Sequence, residues 1–565
     1  MVDSVTLEVV RNAASAISEE MNANLIRTGY SPNIKERRDC SNALFDADGE
    51  MIAQAENMPV HLGAMPFSVA AAVERFPPET LEPGDGILLN DPYHGGAHLP
   101  DLTLVTPVFY EDEIVAFAAN RAHHADVGGS RAGSVAADST EIYQEGIRIP
   151  PVKLFEGGEP NEAVFDLILS NVRTPDERRG DLRAQEAANQ TGHRRFVELV
   201  EKYGVETITE ALEEIKDYSE RRMRAEIAEL PDGTYTFGDV LDDDGLGNED
   251  LPIQAAVTID GDEVTVDFEG TAPQTEGPVN AVIAVTTSAT YYVLRTVTDP
   301  DIPPNHGSYR PIEVKAPSGT IVNPEPPAAV VGGNLETSQR VTDVVLGAFA
   351  EAVPERVTGA GQGTMNNVTF GGIDPRDGSP YAFYETQGGG FGGRRGKDGM
   401  DGVHVHMSNT MNTPIEVLET AYPLRVERYE YRQDSGGAGE FRGGLGLRRD
   451  VTVRDHEARF SLLSDRRRHR PYGVAGGEAG ATGGAVLFQD GEEERLPGKT
   501  IRDLSPGATV SILTPGAGGY GPVDERDEEA VLRDVRLGKV SAEAARNVYG
   551  IDVDAATAGE RDDDE

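Results

Sequence analysis

Apolar residues at Val5, Val9, Ala13, Ile17, Met21 and Ile26 recur near helical spacing and predict a helix over residues 4–29. Ser4 with Glu8 supplies its expected N-terminal cap, and Ser31-Pro32-Asn33 its end. Leu44-Phe45, Asp46-Ala47-Asp48-Gly49 and Met51-Ile52-Ala53 then read as strand, turn, strand. Residues 64–76 return to a helical period and stop at Pro77-Pro78. The run Asp101–Phe109, the acidic turn Glu111-Asp112-Glu113 and the run Ile114–Asn120 predict an antiparallel hairpin. Helical spacing governs 181–230, with Leu182, Ala187, Phe196, Leu199, Leu212 and Met223 as core positions, and Pro231-Asp232-Gly233 closes the region.

From 232 to 330 the pattern switches to short strands, of which Ala255–Ile259 and Glu263–Phe268 alternate with period two around Asp260-Gly261. A helix is expected near 338–352. Glycine is dense from 359 to 446, notably at 388–390, 392–393, 436–437 and 443–444, and predicts tight turns and close backbone approach. Residues 447–513 read as β-rich, 525–548 as helical, and Asp562-Asp563-Asp564-Glu565 as disordered. The expected fold class is α+β and multi-domain, with mixed helices, largely antiparallel sheets and a β-rich C-terminal half. The expected units are 1–230, 231–445, 446–524 and 525–565.

The 97 acidic residues against 51 basic ones give a formal net charge of −46, spread along the chain, and the basic residues comprise 8 Lys and 43 Arg. Such self-repulsion destabilises a fold at low ionic strength. In molar salt the Debye length falls to ~3 Å and screens it, so a salt-rich cytoplasm is the expected setting. No basic stripe offers phosphates a track, which argues against nucleic acid. No stretch approaches the ~18 apolar residues of a membrane span, and no secretory signal is read at the N-terminus. Cys40 is the only cysteine, so no intramolecular disulfide forms.

Four of eleven histidines fall between positions 94 and 124. One cluster is His94-Gly95-Gly96-Ala97-His98-Leu99-Pro100-Asp101; the other is Arg121-Ala122-His123-His124-Ala125-Asp126. A hairpin centred near residue 112 sets Asp101 opposite residue 123, and cross-strand neighbours stand ~4.5–5.5 Å apart. Two imidazoles and a carboxylate at the open end would form a mononuclear metal site with free positions. A turn one residue longer or shorter exchanges His123 for His124, and the apolar returning strand leaves the register open.

The chain resembles the hydantoinase B/oxoprolinase family, which includes a large subunit of acetone carboxylases. The resemblance runs nearly end to end. It is carried by Ser31–Arg37, Leu44–Gly49, Leu89–Tyr93, His98–Asp101, Ala119–Gly129, Glu141–Gly146, Gly333–Arg340 and Asp434–Gly439. It implies a divalent metal held by His98, Asp101 and His123, with manganese, iron and zinc all compatible. It also implies a separate A-type subunit that uses ATP to phosphorylate a small cyclic amide. Here the sequence is consistent: Gly498-Lys499-Thr500 has Glu493 where a P-loop needs its first glycine, and Gly516–Gly521 lacks a surrounding βαβ unit.

The expected function is therefore a cytoplasmic, metal-dependent hydrolytic subunit of an ATP-dependent hydantoinase or 5-oxoprolinase, assembled with that partner. His124 or Asp126 is the expected general base, and Arg121, Lys35 or Arg37 the expected support for a phosphate-bearing intermediate. The Gly388–Gly393 run reads as a lid or as plain tight turns. Two other readings are a subunit of an ATP-dependent ketone carboxylase and a non-catalytic scaffold for the ATPase.

Overall fold

In a computed structural model the described residues are 2–55 and 57–553. The acidic tail expected to be disordered lies outside them. A seven-stranded antiparallel sheet organises the N-terminal part. Its strands are β1 (Cys40–Asp46), β2 (Met51–Gln54), β3 (Gly86–Leu89), β4 (Asp101–Tyr110), β5 (Glu113–His123), β6 (Val152–Glu156) and β7 (Glu159–Pro160), in the order β2-β1-β5-β4-β3-β6-β7.

Around it run α1 (Ser4–Thr28), α2 (Pro32–Lys35), α3 (Pro59–Leu62), α4 (Met65–Arg75), α5 (Glu162–Leu169), α6 (Pro175–Tyr203) and α7 (Val205–Ile227). Asp3, not Ser4, caps α1, its carboxylate accepting from the Val5 and Thr6 N–H groups. The single helical stretch expected over 181–230 is split at Gly204, whose φ of 83° breaks the helix. Ala187 is only partly buried, whereas Ala184 and Ala188 are in the core.

One face of the sheet, with Leu44, Val108, Ala116 and Ala118, packs on Val10, Ile17 and Met21 of α1, Phe196 of α6 and Leu212 of α7. The other face, with Ala43, Phe45, Phe117 and Ala119, belongs to the largest core. Each such fully buried side chain of Val or larger size contributes roughly 1.5–3 kcal/mol. Covering both faces is why β5 is apolar at successive positions and why its sequence alone leaves the register open.

The central region contains β8 (Gly233–Asp243), β9 (Glu249–Asp260), β10 (Glu263–Asp267) and β11 (Ile312–Lys315), in the order β11-β10-β9-β8. Only the β10–β11 pair is parallel. Between the last two strands the chain forms α8 (Ile283–Val297) and the short α9 (His306–Tyr309), where only strands were expected. The α8 sequence is rich in Val, Thr and Tyr, a strand-like composition, yet its helix is buried on most sides. The Thr290 hydroxyl donates to the Thr286 carbonyl and the Thr286 hydroxyl to Val322, so burial overrides propensity. A π-helical turn at Gly333–Thr337 leads into α10 (Ser338–Ala352).

The C-terminal half packs two sheets face to face. One is built from β12 (Asn367–Ile373), β13 (Pro380–Glu385), β16 (Ala458–Leu463) and β19 (Lys499–Leu504), in the order β13-β12-β16-β19. The other contains β14 (Leu424–Tyr431), β15 (Leu447–Val453), β17 (Gly484–Gln489), β18 (Glu492–Arg495) and β20 (Thr509–Leu513), in the order β14-β15-β20-β17-β18. Phe370, Phe383, Phe460, Val451, Leu487 and Val510 fill the space between them. The expected break between residues 445 and 446 falls inside both sheets, since β12 pairs with β16 and β14 with β15. The helix α11 (Ile415–Ala421) precedes β14, and the expected C-terminal helix is two short ones, α12 (Glu528–Arg536) and α13 (Ala542–Asn547).

Candidate metal centre

The β4–β5 hairpin sets the geometry. Its register pairs Tyr110 with Glu113 at the turn and Asp101 with His123 at the open end. His98 reaches the same place from a turn closed by the Asp101 N–H donating to the His98 carbonyl at 3.1 Å. That turn needs its glycines. Gly95 has a φ of 89°, and a Cβ on Gly96 would collide with the Asn90 carbonyl. Asn90 then fastens the loop by donating to Leu99 O at 2.7 Å and Ile147 O at 3.0 Å.

One ligand-capable atom each of His98, Asp101 and His123 lies within 4.8 Å of the others, and all three residues are buried. His98 Nε2 stands 3.1 Å from Asp101 Oδ1. Even so, both His98 ring nitrogens, both Asp101 oxygens and His123 Nε2 lack a well-formed hydrogen bond among the described residues. Buried polar atoms left this way cost about 1–3 kcal/mol each, so the cluster is one that a cation would satisfy. Two imidazoles and a carboxylate form a donor set that fits a divalent transition metal with positions left open. Burial pushes His123 well below the usual imidazole range, which keeps it neutral and able to coordinate. Burial alone would raise the Asp101 carboxyl, but the neighbouring His98 and His61 outweigh it and hold it well below the usual carboxylate range.

The surrounding residues come from distant parts of the chain. His61, on α3, sets Nε2 3.4 Å from Asp101 Oδ2 and 3.9 Å from Asp39 Oδ1. Asp39 is buried just before β1, and its carbonyl accepts the His123 N–H at 3.0 Å. Tyr384 of β13 stacks on His123 with ring centres 4.7 Å apart. Asn33 contacts His123 Nδ1 at 3.0 Å and accepts from Arg37 at 2.9 Å. Asp39, His61, His123 and Tyr384 line a cavity of about 10 Å³, room for roughly one water or ion.

The other expected site residues go elsewhere. His124 turns into the layer under α6, where Nε2 meets Gln185 Oε1 at 2.9 Å and burial lowers its pKa to about 4. The Asp126 carboxylate is committed to the Gly128, Gly133 and Arg173 N–H groups and to the Arg173 guanidinium. Arg121 lies two rungs inside the Asp101–His123 pair, bonded to Thr103 and Ser68, with Nη1 unpartnered. Arg37 is buried and ties α2 to the Tyr384 carbonyl and Thr386, while Lys35 is exposed. His94 is exposed and bonded to Asp91 at 2.7 Å, outside the cluster. Asp39, His61 and Tyr384 were not anticipated. The only sequence signal for the first was its place directly after the Ser31–Arg37 motif.

Comparison with known proteins follows this geometry. The caprolactamase subunit beta of Pseudomonas jessenii is 36% identical over 98% of this chain and 97% of its own length. The crystal structure of the ATP-dependent caprolactamase from the same organism superposes with a TM-score of 0.91, covering 98% of this chain and 96% of that one. 5-oxoprolinase 1 of Arabidopsis thaliana is 38% identical over 92% of this chain, which spans only 42% of that longer protein. A nucleotide-free acetone carboxylase structure shares the fold, with a TM-score of 0.90 at 19% identity over 99% of this chain and 83% of that one. The sequence profile described as Hydantoinase B/oxoprolinase matches residues 3–523. The chain belongs to the hydantoinase B/oxoprolinase family.

Proposed function

We propose that this chain is the metal-dependent hydrolytic subunit of an ATP-dependent enzyme that opens small cyclic amides. In this reading a partner subunit of A type uses ATP to phosphorylate the amide. The observation that carries it is the set of buried, unpartnered donor atoms on His98, Asp101 and His123. The names of the relatives, a caprolactamase beta subunit and a 5-oxoprolinase, support cyclic amides as the substrate class.

Ring amides are resonance-stabilised, and water attacks them poorly until the carbonyl oxygen carries a better leaving group. A divalent ion held by His98, Asp101 and His123 would supply Lewis acidity at that carbon and to a water. Asn33 and Tyr384 fix the His123 ring from its edge and its face. Proton transfer falls to His61, which lines the cavity beside Asp101, in preference to His124, whose Nε2 faces Gln185 under α6 and which does not line it, and Asp126, whose carboxylate is engaged elsewhere. Arg121, buried below Asp101, balances its charge.

The test is co-purification with the partner subunit, metal analysis, and ATP turnover with hydantoin, N-methylhydantoin, 5-oxoproline and caprolactam. Metal analysis chooses among manganese, zinc and iron. Ring opening that requires both ATP and metal is the expected result. Turnover of acetone with bicarbonate instead would overturn hydrolysis, and a metal-free active complex would overturn the site.

A further inference from the structure

A chain of net charge −46 repels anions from most of its surface. One cavity departs from that rule. It measures about 140 Å³, and its lining includes three guanidiniums, Arg356, Arg394 and Arg395, against a single carboxylate, Glu355. Among the described residues the exposed Arg394 and Arg395 side chains make no ion pair and no side-chain hydrogen bond. Arg356 donates to the Val297 carbonyl at 3.2 Å, and its nearest carboxylates, Glu226 and Glu229, stand at 3.7 and 3.8 Å. Buried arginines such as Arg340, on Asp465 at 2.8 Å, and Arg526, on Asp534 at 2.7 Å, are by contrast closely paired.

The same cavity reaches a buried imidazole. His406 is 4% exposed, its Nδ1 lies 3.4 Å from the Tyr292 hydroxyl, and its Nε2 has no hydrogen-bond partner. Among the described residues the one carboxylate within 4 Å, Asp343, is 3.7 Å from that nitrogen and already bonded to Arg466. His406 also adopts a left-handed backbone, with φ at 48°, a conformation that a side-chain-bearing residue keeps only when its surroundings enforce it.

The arginines project from a fixed loop. The Gly359 N–H donates to Gly393 O at 2.8 Å, the Gly393 N–H to Gly518 O at 2.9 Å, and Arg394 and Lys397 exchange backbone bonds. A Cβ on Gly392 would collide with the Gly359 carbonyl. The Gly388–Gly393 run is thus packed backbone against backbone, which is the tight-turn reading of the sequence. A backbone held this way loses little freedom when the side chains it carries meet a ligand.

The cavity also adjoins a second one. It shares Tyr292 and Thr296 with a larger cavity of about 340 Å³, whose wall includes Pro59 and Leu62 of α3. On that same helix His61 faces Asp101.

We propose that this cationic cavity binds a phosphoryl dianion. Arg394 and Arg395 bring two guanidiniums without ion pairs, Arg356 is shared with Glu226 and Glu229, and guanidiniums pair bidentately with phosphate oxygens. The site itself stands on the cavity. That the phosphoryl group arrives on the activated amide rests on the proposed function.

Calorimetric titration of the metal-loaded chain with inorganic phosphate tests the site. Phosphate binding is expected, weakened about tenfold or more in the Arg394→Gln/Arg395→Gln double variant and strengthened in Glu355→Gln. No phosphate binding, or binding that the double variant leaves unchanged, would overturn the proposal. In the complex with the partner, two sources of phosphate separate. If the activated amide docks here, the double variant consumes more ATP per ring opened. If released phosphate is the ligand, the coupling stays and product inhibition by phosphate disappears; either result supports the site, and neither change overturns it. A chain that binds phosphate here while its complex opens no cyclic amide keeps the cavity and rejects the functional reading.

Discussion

Asp101 and His123 face each other as direct cross-strand partners at the open end of one hairpin. Both residues are buried, and His98 Nε2 approaches Asp101 from the preceding turn at 3.1 Å. The hairpin, its register shifted by a bulge between Val108 and Phe109, thus creates the pair. Every further member of the cluster reaches it from outside the hairpin, and the consequences can be measured one residue at a time.

The cluster itself comes first. Asp101→Asn and His98→Ala should each lose bound metal and lower amide turnover by more than ~100-fold, since even residues that only support metal ligands are worth 10–100-fold. Association with the partner should persist, because both residues are buried away from the surface. Metal analysis and size-exclusion chromatography of the variants decide it; full metal content in either would reject the assignment.

Asn33 should act on the metal through His123. It stands 3.0 Å from His123 Nδ1 and is itself held by Arg37. Asn33→Ala is expected to weaken metal affinity about 10–100-fold, and to cost about 1–3 kcal/mol of stability by stranding the buried Arg37. Competition with a chelator reads the affinity, and an unchanged value would make Asn33 a packing residue only.

Glu145 gives the fold a pH dependence of known sign. Burial pushes its carboxyl up to about 8, against the bonds it accepts from the Val330 and Val331 N–H groups. Between the ordinary carboxylate range and about 8, the unfolded chain has released this proton while the folded chain retains it. Stability should therefore fall as pH rises through that window. Glu336, also raised to about 8 by burial, adds a slope of the same sign. Glu145→Gln should flatten the decline without abolishing it, as followed by denaturant melts from pH 5 to 9; an unaltered slope would contradict the shift.

Gln185 joins the hairpin to α6. It donates to the Leu102 carbonyl at 2.9 Å and Asn120 at 2.8 Å, and pairs with His124. Gln185→Ala strands these buried groups, each worth about 1–3 kcal/mol, so a loss of about 2–5 kcal/mol is expected. Urea unfolding measures it, and a loss below about 1 kcal/mol would mean that water replaces the side chain.

Salt should stabilise the whole chain. With a net charge of −46, raising potassium chloride from about 0.1 to 2 M should raise Tm through screening. A flat or falling Tm would remove the salt-adaptation reading.

What the sequence determined was local. A short acidic turn between two apolar runs announced the hairpin and brought Asp101 near His123 and His124, while a bulge between Val108 and Phe109 settled the pairing on His123. The strand-turn-strand at 40–54, the helix at 65–75 and the helix at 338–352 were legible for the same reason: each period is written in neighbouring residues. Tertiary structure decided the rest. Burial turned the β-branched segment 283–297 into a helix and covered both faces of β5, erasing the alternation that would have marked its register. Only folding brought Asp39, His61 and Tyr384 to His123, residues separated by up to 345 positions whose meeting no local pattern encodes. Spacing along a chain specifies contacts across one turn; contacts across a core depend on which surfaces are buried together.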